Sequence, residues 1–319
     1  MQSRSVTAER RIDVGLYLPQ VAVTPDGLLE RARVAERCGF HSLWLYDHLY
    51  SPGQPDRDSL EAWTAATYVL ARTEHLRVGH LVLDNNFRHP ALLAKMVATL
   101  DVISGGRVEV GIGSGSVRLE HDQLGIPWGT AAERSERLAE GLAVLSSMLS
   151  EQVTTFEGRH FHLDAVPNLP RPVQSPRPPI HVGGIGPRMT LPLAARFADV
   201  WNVPTYGLAS WESARHVLDE ECAAIGRDPA TLATSLEAVL VVAPDDGAVS
   251  EARAQAERRF GSAGWGLRAG GFVGTPSVIV DRIGELAERG VSLFVFFTHD
   301  RGDPRTIELV GESVLPRLN

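Results

Sequence analysis

Short, nearly continuous apolar runs alternate with amphipathic stretches along most of the chain. Apolar runs fall at residues 12–19, 42–47, 77–83, 108–112, 179–183, 199–203, 235–242 and 292–298. Their lack of strict alternation predicts strands buried on both faces, as in parallel sheets. Helical spacing follows each of them. In residues 26–38, Leu28, Leu29, Ala32, Val34 and Ala35 form one stripe, and Gly39 stands where a helix ends. Further helices are predicted over 59–73, 90–103, 130–150, 187–198, 210–225, 248–260, 276–289 and 304–314, with a Gly-rich stretch over 261–274. One region breaks the rhythm. Segments 153–156 and 160–163 flank Glu157-Gly158-Arg159 and predict a β-hairpin, and residues 167–179 hold six prolines, an extended loop. Eight strand–helix units predict an α/β fold, a (β/α)8 TIM barrel with an inserted hairpin and Pro-rich loop at about 151–178. An open doubly wound sheet is the alternative. It calls for a Gly-rich fingerprint after the first strand, where the chain reads Gly15-Leu-Tyr-Leu-Pro-Gln20.

With 319 residues, 44% of them hydrophobic, the chain can bury a large core, and the expectation is one domain over 11–319 behind a disordered tail, 1–10. The net charge of −8 argues against nucleic acid, which needs a cationic footprint. Two cysteines, Cys38 and Cys222, make neither a disulfide framework nor a thiolate zinc site. No apolar run nears the ~18 residues of a membrane span. Residues 1–10 carry no apolar signal-like run. A cytoplasmic protein acting on a small molecule is expected.

Chemistry in a barrel collects at the C-terminal ends of its strands. The second strand ends in Asp47-His48, a carboxylate–imidazole pair suited to proton transfer near neutral pH, or else a loop cap beside a surface histidine. The third ends in Asp84-Asn85-Asn86, able to hydrogen-bond a polar ring or to form a turn. The fourth runs into Gly111-Ile-Gly113-Ser114-Gly115-Ser116, whose glycines allow close approach of a ligand to the backbone. The fifth ends Gly183-Gly184-Ile185-Gly186-Pro-Arg188. An arginine in the first turn of a helix is unfavourable unless it meets an anion, so a phosphate cradle is the preferred reading. His160 and His162 share a hairpin face without a third ligand, so no metal site is expected.

Several ordered segments then resemble one family: Phe40-His-Ser-Leu-Trp-Leu-Tyr-Asp-His48, Phe87-Arg-His-Pro-Ala-Leu-Leu-Ala-Lys95, residues 98–107, Gly183–Arg188, and Ala198-Asp-Val-Trp-Asn202. They resemble the bacterial-luciferase-like monooxygenases, and among these the coenzyme F420-dependent oxidoreductases. The resemblance runs from about Ile12 to Phe297. It implies a barrel binding F420 or FMN at its mouth, with hydride transfer at C5 of the deazaflavin and a homodimeric assembly. It also implies a cis peptide at Leu81–Val82, His48 and Asp47 as catalytic residues, and a cofactor site drawn from Asp47, Leu81, Val82, Asn86, Gly113, Ser114, Gly115, Gly183, Gly184, Ile185, Gly186, Arg188 and Trp201. FMN-using members carry a phosphate-binding arginine where this chain has Ser114, which favours F420. The family's sugar-phosphate dehydrogenase has a glutamate proton donor at the position of Ser116, so glucose 6-phosphate is not the expected substrate. An FMN-dependent monooxygenase and a non-catalytic flavin-binding protein remain the alternatives.

Overall fold

The computed structural model describes residues 11–318, so the expected tail, 1–10, lies outside the described residues. The elements run in the order β1 (Asp13–Tyr17), α1 (Pro25–Arg37), β2 (Ser42–Leu45), α2 (Ala62–Leu70), β3 (Arg77–His80), β4 (Leu83–Asp84), α3 (Pro90–Ser104) and β5 (Val110–Gly113). Next come α4 (Arg118–Leu124), α5 (Ala131–Ser150), β6 (Val153–Glu157), β7 (His162–Pro167), β8 (Ile180–Gly183), α6 (Thr190–Phe197) and β9 (Val200–Val203). The last part holds α7 (Trp211–Ala224), β10 (Ala233–Val242), α8 (Asp246–Phe260), α9 (Leu267–Gly270), β11 (Phe272–Gly274), α10 (Pro276–Glu288), β12 (Val291–Thr298) and α11 (Pro304–Ser313).

The parallel strands pair in the order β3–β2–β1–β12–β10–β9–β8–β5–β4, with β11 branching from β10. β3 and β4 are two halves of one barrel position, interrupted at the cis Leu81–Val82 peptide where one strand, 77–83, was expected. Val78 bridges to Val108 and closes the ring: its N–H donates to Arg107 O and its carbonyl accepts from Glu109 N, both at 2.9 Å. Counting β3 and β4 as one gives the eight-stranded (β/α)8 barrel. The antiparallel β6–β7 hairpin and the following proline segment stand between α5 and β8, as expected for the insertion.

Local chemistry explains the helix boundaries. Thr24 caps α1 ahead of Pro25, and the five stripe residues predicted for it are all buried. Thr130 and Glu133 form a reciprocal capping box on α5. The α4 helix has no counterpart in the hydrophobic pattern. Its buried residues are Glu120 and His121, both polar, so no apolar stripe announces it. α6 starts at Thr190, three residues later than expected, because the Thr190 and Leu191 N–H groups both turn back to Gly186 O. Among the described residues no helix is long and apolar enough to cross a membrane.

Two apolar layers result. Leu16, Leu43, Val110, Ile180 and Leu236 face the helices, while Tyr17, Trp44, Tyr46, Leu81, Val295 and Phe297 fill the barrel axis. Trp44 is fully buried and its indole N–H donates to Ser42 Oγ at 2.8 Å. The ring fits only because Gly15 and Gly79 flank it. A Cβ on Gly79 would lie 2.6 Å from Trp44 Cζ3 and from Glu109 Cβ. Near Trp44, buried Glu109 is held by Arg77 and by His181 Nε2 at 2.8 Å. These side chains close the axis toward the N-terminal strand ends and leave the opposite end for chemistry. Gly79→Ala overpacks this plug and should lower unfolding stability by about 1–3 kcal/mol in urea titrations; wild-type stability would show that the indole can shift.

Candidate active site

Asp47 leaves β2 as a buried carboxylate and is fully engaged. Its Oδ2 accepts the Asp84 N–H at 2.9 Å and Arg88 Nη1 at 2.7 Å, and its Oδ1 accepts Arg88 Nη2 at 3.0 Å. Arg88 also reaches Glu61 at 2.6 Å. Glu61 caps α2 through the Trp63 and Thr64 N–H groups. Burial alone would raise the Glu61 carboxyl, but those hydrogen bonds and Arg88 outweigh it and bring it down to about 2. The network ties the exits of β2 and β4 to α2. The expected pairing of Asp47 with His48 is not what the structure shows: its side chain is only 1% exposed and its hydrogen bonds go to Arg88 and the Asp84 N–H, which makes it an anchor between strand exits.

His48 takes a different partner. Its Nδ1 lies 2.8 Å from Glu120 Oε2, and Glu120 Oε1 accepts the Leu49 N–H. Burial pushes the Glu120 carboxyl up, yet the hydrogen bonds from His48 and Leu49 prevail and hold it below the ordinary range. Glu120 was absent from the predicted site because its helix was. Its neighbour His121 stacks on Phe87, meets Trp128 edge-on and lies 3.3 Å from Asp84 Oδ2. Two successive residues of α4 thus fasten the loops after β2 and β4. With Nδ1 committed, the 23%-exposed His48 side chain leaves Nε2 for the cavity it lines.

That cavity, about 500 Å3, has an apolar wall of Tyr17, Tyr46, Phe260, Trp265 and Phe297. Arg258, Arg259 and Arg301 stand on its rim, and none of them has a carboxylate partner among the described residues. Burial lowers the Arg301 guanidinium, and the nearby charges of Arg259 and Arg57 lower it further.

The other predicted residues gather at the neighbouring strand ends. Asn86 Nδ2 bonds Asp84 Oδ1 at 2.8 Å and Ser114 O at 3.2 Å, joining the third and fourth barrel exits. Gly115 has φ +87°, and a Cβ there would meet Asp84 Oδ2 at 2.6 Å. Leu81 packs in the axial cluster with Val82 against it, and Val82 lies beside the bare positions Gly113 and Gly183. Three expectations for the fifth exit change. The Gly184 N–H is taken by Asn202 O at 3.0 Å, which leaves Ile185 and Gly186 as donors. Arg188 is exposed in the loop before α6, outside its first turn. Trp201 is fully buried in the helix-facing layer and steadies the loop by donating to Gly184 O at 2.7 Å. His160 and His162 pair with Glu136 and Glu157, and no cluster suited to a metal occurs among the described residues.

Residues 5–293 match the family model of the luciferase-like monooxygenases. The chain is 30% identical to an F420-dependent glucose-6-phosphate dehydrogenase of Microbacterium testaceum, over 92% of this chain and 94% of that protein. It is 28% identical to an FMNH(2)-dependent dimethylsulfone monooxygenase of Pseudomonas putida, over 89% and 85%. The fold superposes on an F420-dependent secondary alcohol dehydrogenase in complex with an F420–acetone adduct at a TM-score of 0.80 and 22% identity, covering 97% of this chain and 99% of that one. The protein belongs to the luciferase-like monooxygenase family and is one of its oxidoreductases.

Arg88→Met strands the Asp47 carboxylate in the interior without its cation. Chemical denaturation should register a loss of about 3–5 kcal/mol, the cost of breaking a buried pair; a loss below 1 kcal/mol would mean that the Asp84 N–H alone suffices for Asp47.

Proposed function

We propose that the protein is a coenzyme F420-dependent oxidoreductase that moves a hydride between C5 of the deazaflavin and a small organic substrate. The chemistry is reduction of a C=C, C=N or C=O bond, or oxidation of an alcohol. The observation that carries this reading is the His48–Glu120 pair opening onto an apolar cavity at the catalytic end of the barrel. Similarity to F420-dependent dehydrogenases supports it. The residues present also fit the cofactor. Ile185 and Gly186 offer N–H groups with no internal acceptor among the described residues, next to Arg188, a cation without a carboxylate partner: a donor set for a phosphate. Gly113 and Gly183 keep the wall beside Val82 free of side chains.

When bound, F420 supplies or accepts the hydride. The chain's own residues handle the rest. Glu120 fixes the His48 ring through Nδ1, as a carboxylate orients a catalytic imidazole. Nε2 is then the atom that gives a proton, from the imidazolium form, to the reduced substrate oxygen, nitrogen or carbon, or, in the neutral form, takes one from an alcohol. The aromatic wall excludes water from that exchange. The arginine rim favours substrates with an anionic end. A homodimer and a cytoplasmic location belong to the same reading. Use of FMN with O2 is the alternative that the dimethylsulfone monooxygenase likeness supports.

Fluorescence titration separates the two: F420 should bind and FMN should not, and Arg188→Ala should weaken F420 binding by about 1.5–3 kcal/mol. Preferential binding of FMN would reverse the assignment, and unchanged affinity in Arg188→Ala would move the phosphate elsewhere.

Substrates are best screened in pairs with and without a carboxylate. With the best of them, His48→Ala should lower turnover by about 10²–10⁴ while F420 affinity stays within a few fold. Recovery of turnover at saturating F420 would reduce His48 to a packing residue.

A further inference from the structure

Glu237 lies within an apolar strand and takes no part in the mechanism above. Along β10, Leu236, Ala238, Leu240 and Val242 belong to the helix-facing layer. Alternation turns Ser235 and Glu237 to the opposite face, on which Val239 and Val241 pack further along with Ala252, Ala256 and Phe260. Ser235 Oγ accepts from Asn202 Nδ2 at 3.0 Å, and Glu237 pairs in register with Val295 of the axial cluster. Glu237 keeps partial accessibility, and Tyr17, which feels its charge, lines the cavity. Among the described residues its carboxyl makes no hydrogen bond and no ion pair.

The groups around it offer no compensation. Tyr17 of β1 and Tyr206 of the turn at 205–210 are phenols, each raised first by burial and then by Glu237. Tyr46, the residue after β2, adds a third phenol beside Tyr17. The neighbouring strands β9 and β12 present Asn202 and Val295, both uncharged. The Tyr17 hydroxyl is already committed, donating to Leu81 O at 3.0 Å. An ionised carboxylate in such a setting is costly, and the usual outcome is neutralisation. Burial pushes the Glu237 carboxyl up to about 8.

We propose that Glu237 stands on the axial wall as a neutral carboxylic acid and donates a hydrogen bond to an electron-rich oxygen or nitrogen of the ring system or carbonyl compound bound in the barrel mouth. Buried Asp47, Glu109 and Glu120 are all paired and can only accept, whereas Glu237 in its acid form can give a hydrogen bond. Ionised, it would repel an anionic or carbonyl edge. The proposal deepens the F420 reading and rests on it only for the identity of the ligand.

Glu237→Gln keeps the shape and a donor but cannot ionise. The first measurement is thermal unfolding of both ligand-free proteins against pH. A carboxyl whose folded value exceeds its unfolded value carries an extra proton in the native state between the two. Wild-type stability should therefore fall relative to the glutamine variant as pH rises from about 4.5 to about 8, and the gap should then level off. Parallel curves overturn the proposal. The second measurement is F420 affinity by fluorescence quenching over the same range. Above pH 8 the wild-type Kd should rise about tenfold per pH unit relative to the variant; the same pH dependence in both overturns the donor role. If FMN binds in place of F420, the functional reading falls, and the identical comparison made with FMN decides this one.

Discussion

A carboxylate removed from water must be paired or lose its charge, and the mouth of this barrel buries Asp47, Asp84 and Glu120, each from a different segment of the chain. Their partners define the architecture of the site. Asp47 requires Arg88 and the Asp84 N–H, which fixes the exits of β2 and β4 against each other. Asp84 receives Asn86 and faces His121, although burial still raises its carboxyl above the ordinary range. Glu120 takes His48 and Leu49. Apart from the local Asp84–Asn86 contact, each pairing joins two different strand exits or an exit and a helix, and so fastens the loops at the barrel mouth to one another. The imidazole edge left facing the cavity is a product of this network.

The division of labour within the barrel follows from side-chain size. Trp44 occupies the axis between Gly15 and Gly79, and the Arg77–Glu109–His181 group lies on its far side from the mouth. With the axis plugged, the opposite end keeps an open chamber. There Gly113 and Gly183 give room beside Val82, and an aromatic wall shields the cavity next to His48. Packing and chemistry therefore occupy separate levels of one set of strands, the usual arrangement for this architecture.

Much of this was legible in the sequence because it depends on local pattern. The eight apolar runs, the α1 stripe and the hairpin around Gly158 all arise from periodicity or turn chemistry, and each has its counterpart in the structure. The position of the cis peptide came from the family resemblance. What could not be read depends on contacts between distant residues. Asp47 and His48 are adjacent in sequence, yet successive residues leaving a strand point apart, and each found a partner far along the chain. The α4 helix buries polar residues only and so leaves no hydrophobic signature. Trp201 looked like a ligand contact because it sits in a family motif, while strand alternation turns it toward the helices. The Glu120-His121 dipeptide carries too little information by itself to announce such roles.

The proposed function turns on one imidazole, held through Nδ1 by Glu120 and presenting Nε2 to the cavity proposed to take F420 and substrate. Nitrogen-15 NMR of the histidine ring, assigned with His48→Ala and recorded with and without saturating F420, tests this most directly. Nδ1 should carry a proton in the free protein, that preference should be lost in Glu120→Gln, and the Nε2 resonance should move when F420 is added. A ring protonated on Nε2 alone in the free protein, or an Nε2 resonance indifferent to saturating F420, would contradict it.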